Sequence, residues 1–264
     1  QVFINIISGF TFRYILIKVS VLPVVRAAAL LLYTITFSFF NFWPWYNHTA
    51  IVYGLIAIAF VLKYIFSDGG KPQWILILLA SLFTFFSFFT KQDAGGLMFF
   101  ICIFLLLYIS WLEKQWLLPV IYVGGTILFI AIAVLFFSRF EFSYWFNHGQ
   151  PPHNARVSAA DILNEFFSES QWLKFYFFII VLFSVARFKN VRSFLSDKRE
   201  TVFLLLTLGI LCLAVIFQIT SYTPVKSNIF FHSFAIAFIM HCLLQYLPVK
   251  INSIWMFLFL ITGV

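Results

Sequence analysis

Charge is what this sequence has least of. Only 10% of its 264 residues are Asp, Glu, Lys or Arg, against 63% hydrophobic, where a water-soluble domain carries roughly 25% charged residues. So little polar surface cannot coat a soluble globule, and lipid must be the solvent for most of the chain. Acidic residues are rarer still, at nine against 17 basic. The resulting net charge of +8 does not mark a nucleic-acid binder, because the basic residues lie in short segments between apolar runs and form no continuous face. Cys102, Cys212 and Cys242 are isolated within apolar runs. Lacking metal-ligand spacing, they are expected to pack as small hydrophobes. A Gly-rich nucleotide loop is also missing, which disfavours a cytoplasmic nucleotide-sugar enzyme. There is no nucleophile elbow and no zinc-protease helix motif. No internal repeat supports a transporter built from inverted halves. An initiator Met is lacking at Gln1, and the sequence stops at Val264 within an apolar run, so a piece of a longer protein is expected.

What is present in abundance is apolar runs of membrane-spanning length. A bilayer core about 30 Å thick takes roughly 17 to 25 helical residues to cross. Runs of that kind fall near 1–17, 20–41, 49–66, 74–90, 95–112, 116–137, 172–187, 201–218 and 229–247, with a further one from 253. They are continuous rather than alternating, so helices are expected and a barrel is not. The expected fold class is therefore an all-α integral membrane protein, a polytopic bundle of about ten helices forming a single domain over 1–264. Lys and Arg divide 12 to 5 between alternate connections, and the poorer set is Lys91, Arg139, Arg156, Lys174 and Lys226. By the positive-inside rule the richer set faces the cytoplasm and the poorer set the outside.

The outer side would carry the one long connection, about residues 138–172. Within it Ser158-Ala159-Ala160-Asp161 fits a capping box. Downstream, Asp161, Glu165 and Glu169 fall four apart, while Ile162, Leu163, Phe166 and Phe167 line another face. That pattern predicts a short amphipathic helix suited to the outer membrane surface.

Four outer segments hold the candidate chemistry. Thr90-Lys91-Gln92-Asp93-Ala94-Gly95-Gly96 joins two spans with almost no loop. Ionisable groups at that boundary are costly and usually face protein or a water-filled cavity. Lys91 suits a lipid-linked phosphate as a point charge, with Asp93 orienting it or a sugar hydroxyl. The plainer alternative has Lys91 snorkelling to headgroups and Asp93 opening the next helix. Phe42-Trp43-Pro44-Trp45-Tyr46-Asn47-His48 is expected as the preceding outer turn, its aromatics in the interfacial belt. His148 and His153 lack a third ligand, so no metal or other cofactor is expected. Arg156 suits bidentate phosphate binding or is a solvated loop residue. Ser221–Asn228 carries Lys226 on the same side as Lys91, and the two would form a cationic pocket if the bundle brings them together. His232 and His241 read as satisfied interior histidines.

The order of these features resembles the C-type membrane glycosyltransferases, specifically the bacterial group similar to dolichyl-phosphate-mannose protein mannosyltransferases. The resemblance runs over about residues 20–115, through Trp45-Tyr46-Asn47-His48, the 49–66 span, Asp68-Gly69-Gly70-Lys71, the 74–90 span and Thr90-Lys91-Gln92-Asp93-Ala94-Gly95. It implies a hexosyltransferase-type enzyme of the bacterial cytoplasmic membrane with its active site on the outer face. Such an enzyme moves a sugar from a polyprenyl-phosphate donor to a lipid, glycan or protein acceptor, without nucleic-acid partners. The general base in such enzymes is an acidic residue of the first outer loop, which the resemblance puts upstream of Gln1. Lys91, Gln92, Asp93, His48, Asn47, Tyr46, His153, Arg156 and Lys226 would then line the donor pocket. A transporter or lipid-glycan flippase, a glycan polymerase or ligase, and a non-catalytic scaffold share the same gross features and stay open at this point.

Overall fold

The computed structural model describes residues 2–38, 46–67, 73–140, 158–169, 171–187, 191–221 and 231–246. These residues are almost entirely helical, with no strand among them. In chain order the helices are α1 (Val2–Lys18), α2 (Pro23–Ser38), α3 (Tyr46–Ile65), α4 (Trp74–Thr90), α5 (Gln92–Glu113) and α6 (Leu117–Phe137). A short 3₁₀ turn, Ser138–Phe140, extends α6. Then come α7 (Ala159–Asn164), a π-helical turn (Glu165–Glu169), α8 (Gln171–Arg187), α9 (Val191–Ser196), α10 (Lys198–Ser221) and α11 (His232–Tyr246).

Each apolar run from the first to the ninth coincides with a helix; the tenth, from 253, lies outside the described residues. Among the described residues, four helices are long and apolar enough to cross a membrane: His48–Ile65, Gln92–Glu113, Leu117–Phe140 and Lys198–Thr220. A fifth joins them if the bent pair Ala159–Glu169 and Leu173–Val185 counts as one span. Pro23–Thr36, Trp74–Thr90 and His232–Gln245 are apolar but shorter.

Local chemistry sets the helix ends. Ser20 adopts the left-handed conformation, φ 59°, and closes α1 with paired bonds: Val21 N donates to Leu16 O and Ser20 N to Ile17 O, both at 3.0 Å. That is a Schellman closure with serine in the position glycine usually takes. Pro23 then opens α2, where its missing N–H costs nothing. Asp197 caps α10, accepting from Arg199 N at 3.1 Å and Glu200 N at 3.2 Å. The Ser158–Asp161 capping box forms in both directions, Ser158 Oγ accepting from Asp161 N at 3.1 Å and Asp161 Oδ2 from Ser158 N at 3.2 Å.

α5 is the hub, packed against α3, α4, α6 and α10. Small residues let it approach its neighbours closely, as membrane-type packing requires. Gly54 of α3 faces Met98, and a Cβ on Gly209 of α10 would stand 2.8 Å from Ile101. Hydroxyls stitch α4 to α6: Ser81 Oγ donates to Tyr122 O at 2.9 Å, and Thr84 Oγ1 and the Tyr122 hydroxyl share a 2.7 Å bond. α6 is the least buried of the four long spans. α1, α2 and α11 form a second group, joined by Phe12, which stacks on Tyr33 and meets Phe234 edge-on.

The long helices reverse direction from one to the next along the chain, so that α3 and α5 run parallel (Gly54 beside Met98, Tyr64 bonded to Gln115) and the bundle has two distinct ends. At one, Lys198 Nζ pairs with the Glu113 carboxylate and donates to Ile65 O at 3.0 Å, clamping α10 to the last turns of α3 and α5. His241 Nδ1 accepts from Leu22 N at 3.3 Å at this same end, and its Nε2 lies 2.8 Å from the Gln245 amide nitrogen. The other end carries Lys91.

Three expectations are corrected. Tyr46, Asn47 and His48 open α3 rather than forming a turn, because the apolar run behind them propagates helix through them. Cys212 is exposed rather than packed, unlike Cys102 and Cys242. The acidic and apolar faces expected over 159–169 do not persist as one α-helix: after Asn164 the backbone takes the wider π turn. Phe166 docks edge-on to Phe177 of α8 while Leu163 and Phe167 remain exposed.

Candidate functional site

The site is built on a corner. α4 ends at Thr90 and α5 begins at Gln92, with only Lys91 between them in extended backbone, φ −153° and ψ 116°. Lys91 N still donates to Ser87 O and its carbonyl accepts from Gly95 N, each at 2.9 Å. Two antiparallel helices joined by one residue must nearly touch, and glycine makes this possible. A Cβ on Gly95 would run into the backbone of Phe88 and Ser87. Ser87 also donates to Ala50 O of α3 at 2.7 Å, which brings the first turn of α3, with buried His48, to the same corner.

This corner presents an ion pair to α10. Lys91 Nζ lies 3.0 Å from Asp93 Oδ2, with the two side chains only 11% and 19% exposed. The ammonium sits over the Phe217 ring, 3.9 Å from its centroid, a cation–π contact that strengthens when desolvated. Asp93 also accepts from the Thr220 hydroxyl and, through Oδ1, from Ala94 N at 2.7 Å. Lys91 therefore folds inward onto α10 instead of reaching outward. Burial lowers its pKa below the usual 10.5, while the Asp93 carboxylate pulls it part of the way back.

Aromatic contacts extend the site across the bundle. Phe217 meets Phe231 edge-on at 6.2 Å. The next residue, His232, bonds through Nδ1 to the Tyr176 hydroxyl of α8 at 2.9 Å. The result is a seam from the α4–α5 corner over α10 to α8 and α11, lined with rings and carrying, among the described residues, the Lys91 ammonium, the Asp93 carboxylate and the His232 imidazole.

Of the residues expected from sequence, Lys91 and Asp93 are brought into direct contact. Gln92 stands between them as the first residue of α5, half-buried, and His48 is buried nearby. The side chains of Tyr46 and Asn47, and His153, Arg156 and Lys226 as a whole, lie outside the described residues. So does the meeting of Lys91 with Lys226; among the described residues Lys91 meets Asp93 and Phe217. Sequence reading missed Phe217, Thr220 and Tyr176; His232, read as a satisfied interior histidine, is bonded to Tyr176 of another helix. One signal was available: polar Gln218 and Thr220 interrupt the apolar end of α10 just before the Ser221–Asn228 segment. Among the described residues, no group of three or more His, Cys, Asp or Glu could hold a metal ion. Comparison with protein-family models, curated proteins and solved structures finds no match for this chain.

Proposed function

We propose that this chain is a membrane-embedded glycosyltransferase whose Lys91 end faces outward and takes a sugar from a polyprenyl-phosphate donor. The partly buried Lys91–Asp93 pair, wedged between the α4–α5 corner and α10, is the observation that carries this reading. A cation held in a low-dielectric setting interacts with phosphate more strongly than one in water. Its place between two apolar helices suits a ligand whose head is anionic and whose tail is lipid. In this reading all ten apolar runs span the bilayer, the shorter ones being close to the lower limit for crossing, and the 12-to-5 division of Lys and Arg sets their direction.

Sugar transfer by single displacement leaves negative charge on the departing lipid phosphate. Lys91 stabilises that charge as it grows, a larger contribution in the transition state than in the bound donor. The acceptor hydroxyl must lose a proton to a base, expected from the acidic outer loop that the family resemblance implies. Asp93, already accepting from three donors, is poorly suited to that task. His48 and Gln92 complete the wall of the donor site next to Lys91.

The test is transfer of radiolabelled sugar from a polyprenyl-phosphate donor in membranes containing the protein. Lys91→Ala is expected to lower kcat/KM by about 10²-fold or more, the usual cost of removing one charge-stabilising group. Unchanged transfer would remove Lys91 from the mechanism. Movement of the lipid-linked sugar between leaflets without any covalent product would instead make the protein a transporter.

A further inference from the structure

Asp93 accepts from three donors in the seam. Its Oδ2 takes the Lys91 ammonium at 3.0 Å and the Thr220 hydroxyl, and its Oδ1 takes the Ala94 amide at 2.7 Å. An ammonium, a hydroxyl and a helix N-terminal amide converging on two oxygens are the donors that a bound phosphate uses. Another face of the ammonium is covered by Phe217. An anion approaching Lys91 Nζ within bonding distance must therefore contend with a carboxylate already there.

We infer that Asp93 holds the anion position of Lys91, and that a phosphate-bearing lipid enters by exchange with this carboxylate rather than by addition beside it. The inference rests on the reading of Lys91 as the partner of a lipid phosphate. Two anions on one partly buried ammonium repel each other, and at these exposures water screens that repulsion incompletely. Exchange frees one edge of Asp93 while Thr220 and Ala94 keep hold of it, so the carboxylate stays close and continues to repel.

That residual repulsion discriminates by charge. A sugar-linked polyprenyl phosphate is a diester with one negative charge. The monoester left after sugar transfer carries about 1.5 to 2 at neutral pH. Asp93 therefore tolerates the donor better than the product and favours product release.

The experiment measures binding of tritiated farnesyl phosphate and farnesyl methyl phosphate to the protein in zwitterionic nanodiscs at pH 6.5. Asp93→Asn is expected to bind the monoester on the order of tenfold more tightly, with a smaller gain for the diester. Thr220→Val loosens the tether without removing a charge and should move the same way by less, which keeps the test open if Asp93→Asn folds poorly. Lys91→Ala should abolish phosphate-dependent binding. Weaker or unchanged binding in both Asp93→Asn and Thr220→Val would overturn the exchange and make Asp93 part of the ligand's binding set. Inorganic phosphate competing as well as the farnesyl ester would overturn the lipid source. None of these outcomes depends on covalent sugar transfer, so the exchange can fail while the transferase reading stands, and the reverse.

Discussion

Replacing Gly95 with alanine should damage the fold more than its small size suggests. The new methyl group would fall against the backbone nitrogen and Cα of Phe88 and the carbonyl carbon of Ser87. Main-chain atoms inside a helix cannot escape by changing rotamer, so α4 and α5 must part at the corner they share. Overpacking a core costs about 1–3 kcal/mol, and hard backbone atoms put this case at about 3 kcal/mol. Alanine's better helix propensity returns at most about 1 kcal/mol, leaving a net loss of about 2 kcal/mol. Gly96 is the internal control, because a Cβ there meets nothing within 4 Å. Gly96→Ala should gain about 0.5–1 kcal/mol from propensity alone. Thermal unfolding of the two variants in detergent, followed by tryptophan fluorescence, should bracket the parent, with Gly95→Ala below it and Gly96→Ala at or above it. Equal stability of the two would refute the close-contact argument. A Gly95→Ala protein that still held the Lys91–Asp93 pair, judged by unaltered farnesyl phosphate binding, would refute the link from corner to site.

The helix contacts and the partly buried ammonium lead to three more expected outcomes. Tyr122→Phe removes the hydroxyl shared with Thr84 at 2.7 Å and should cost about 1 kcal/mol, near the range measured for hydrogen bonds between membrane helices; a double-mutant cycle with Thr84→Val should show that the two losses overlap, and full additivity would rule out the bond. Phosphate binding that relies on the Lys91 ammonium should hold at neutral pH and weaken as pH rises, starting below the pH at which a lysine with the ordinary value of 10.5 would titrate, since burial lowers its pKa. Asp93→Asn removes the carboxylate that opposes that lowering, so an affinity series against pH should place its falling limb lower still; a limb at the parent's position would contradict the pairing.

Features that depend on near neighbours along the chain were legible in the sequence. The run 74–90 matches α4 to the residue, and Ser158 with Asp161 forms the expected capping box, because hydrophobic run length and capping are local chemistry. The Lys91–Asp93 contact was within reach for the same reason, two residues apart on a corner. Its far side was not. Thr220 is separated from Asp93 by 127 positions, and only the docking of α10 on α5 brings them together. Ser20 hid the α1 closure, since a left-handed residue is usually announced by glycine. The π turn at Glu165–Glu169 was hidden too, because the four-residue spacing of the acidic groups fits an uninterrupted α-helix equally well.

The single residue between α4 and α5 also fixes where this chain can change length. Most connections absorb insertions, since a loop can bulge without disturbing the elements it joins. At Lys91 there is nothing to bulge. One added residue in the first turn of α5 would rotate the remainder of that helix by about 100° about its axis, or else push Asp93 out of line with Thr220. Met98 would swing away from Gly54 and Ile101 from Gly209 in the same movement. The corner works as a gear tooth: the rotational setting of α5 against its four neighbours is determined by its being one residue long.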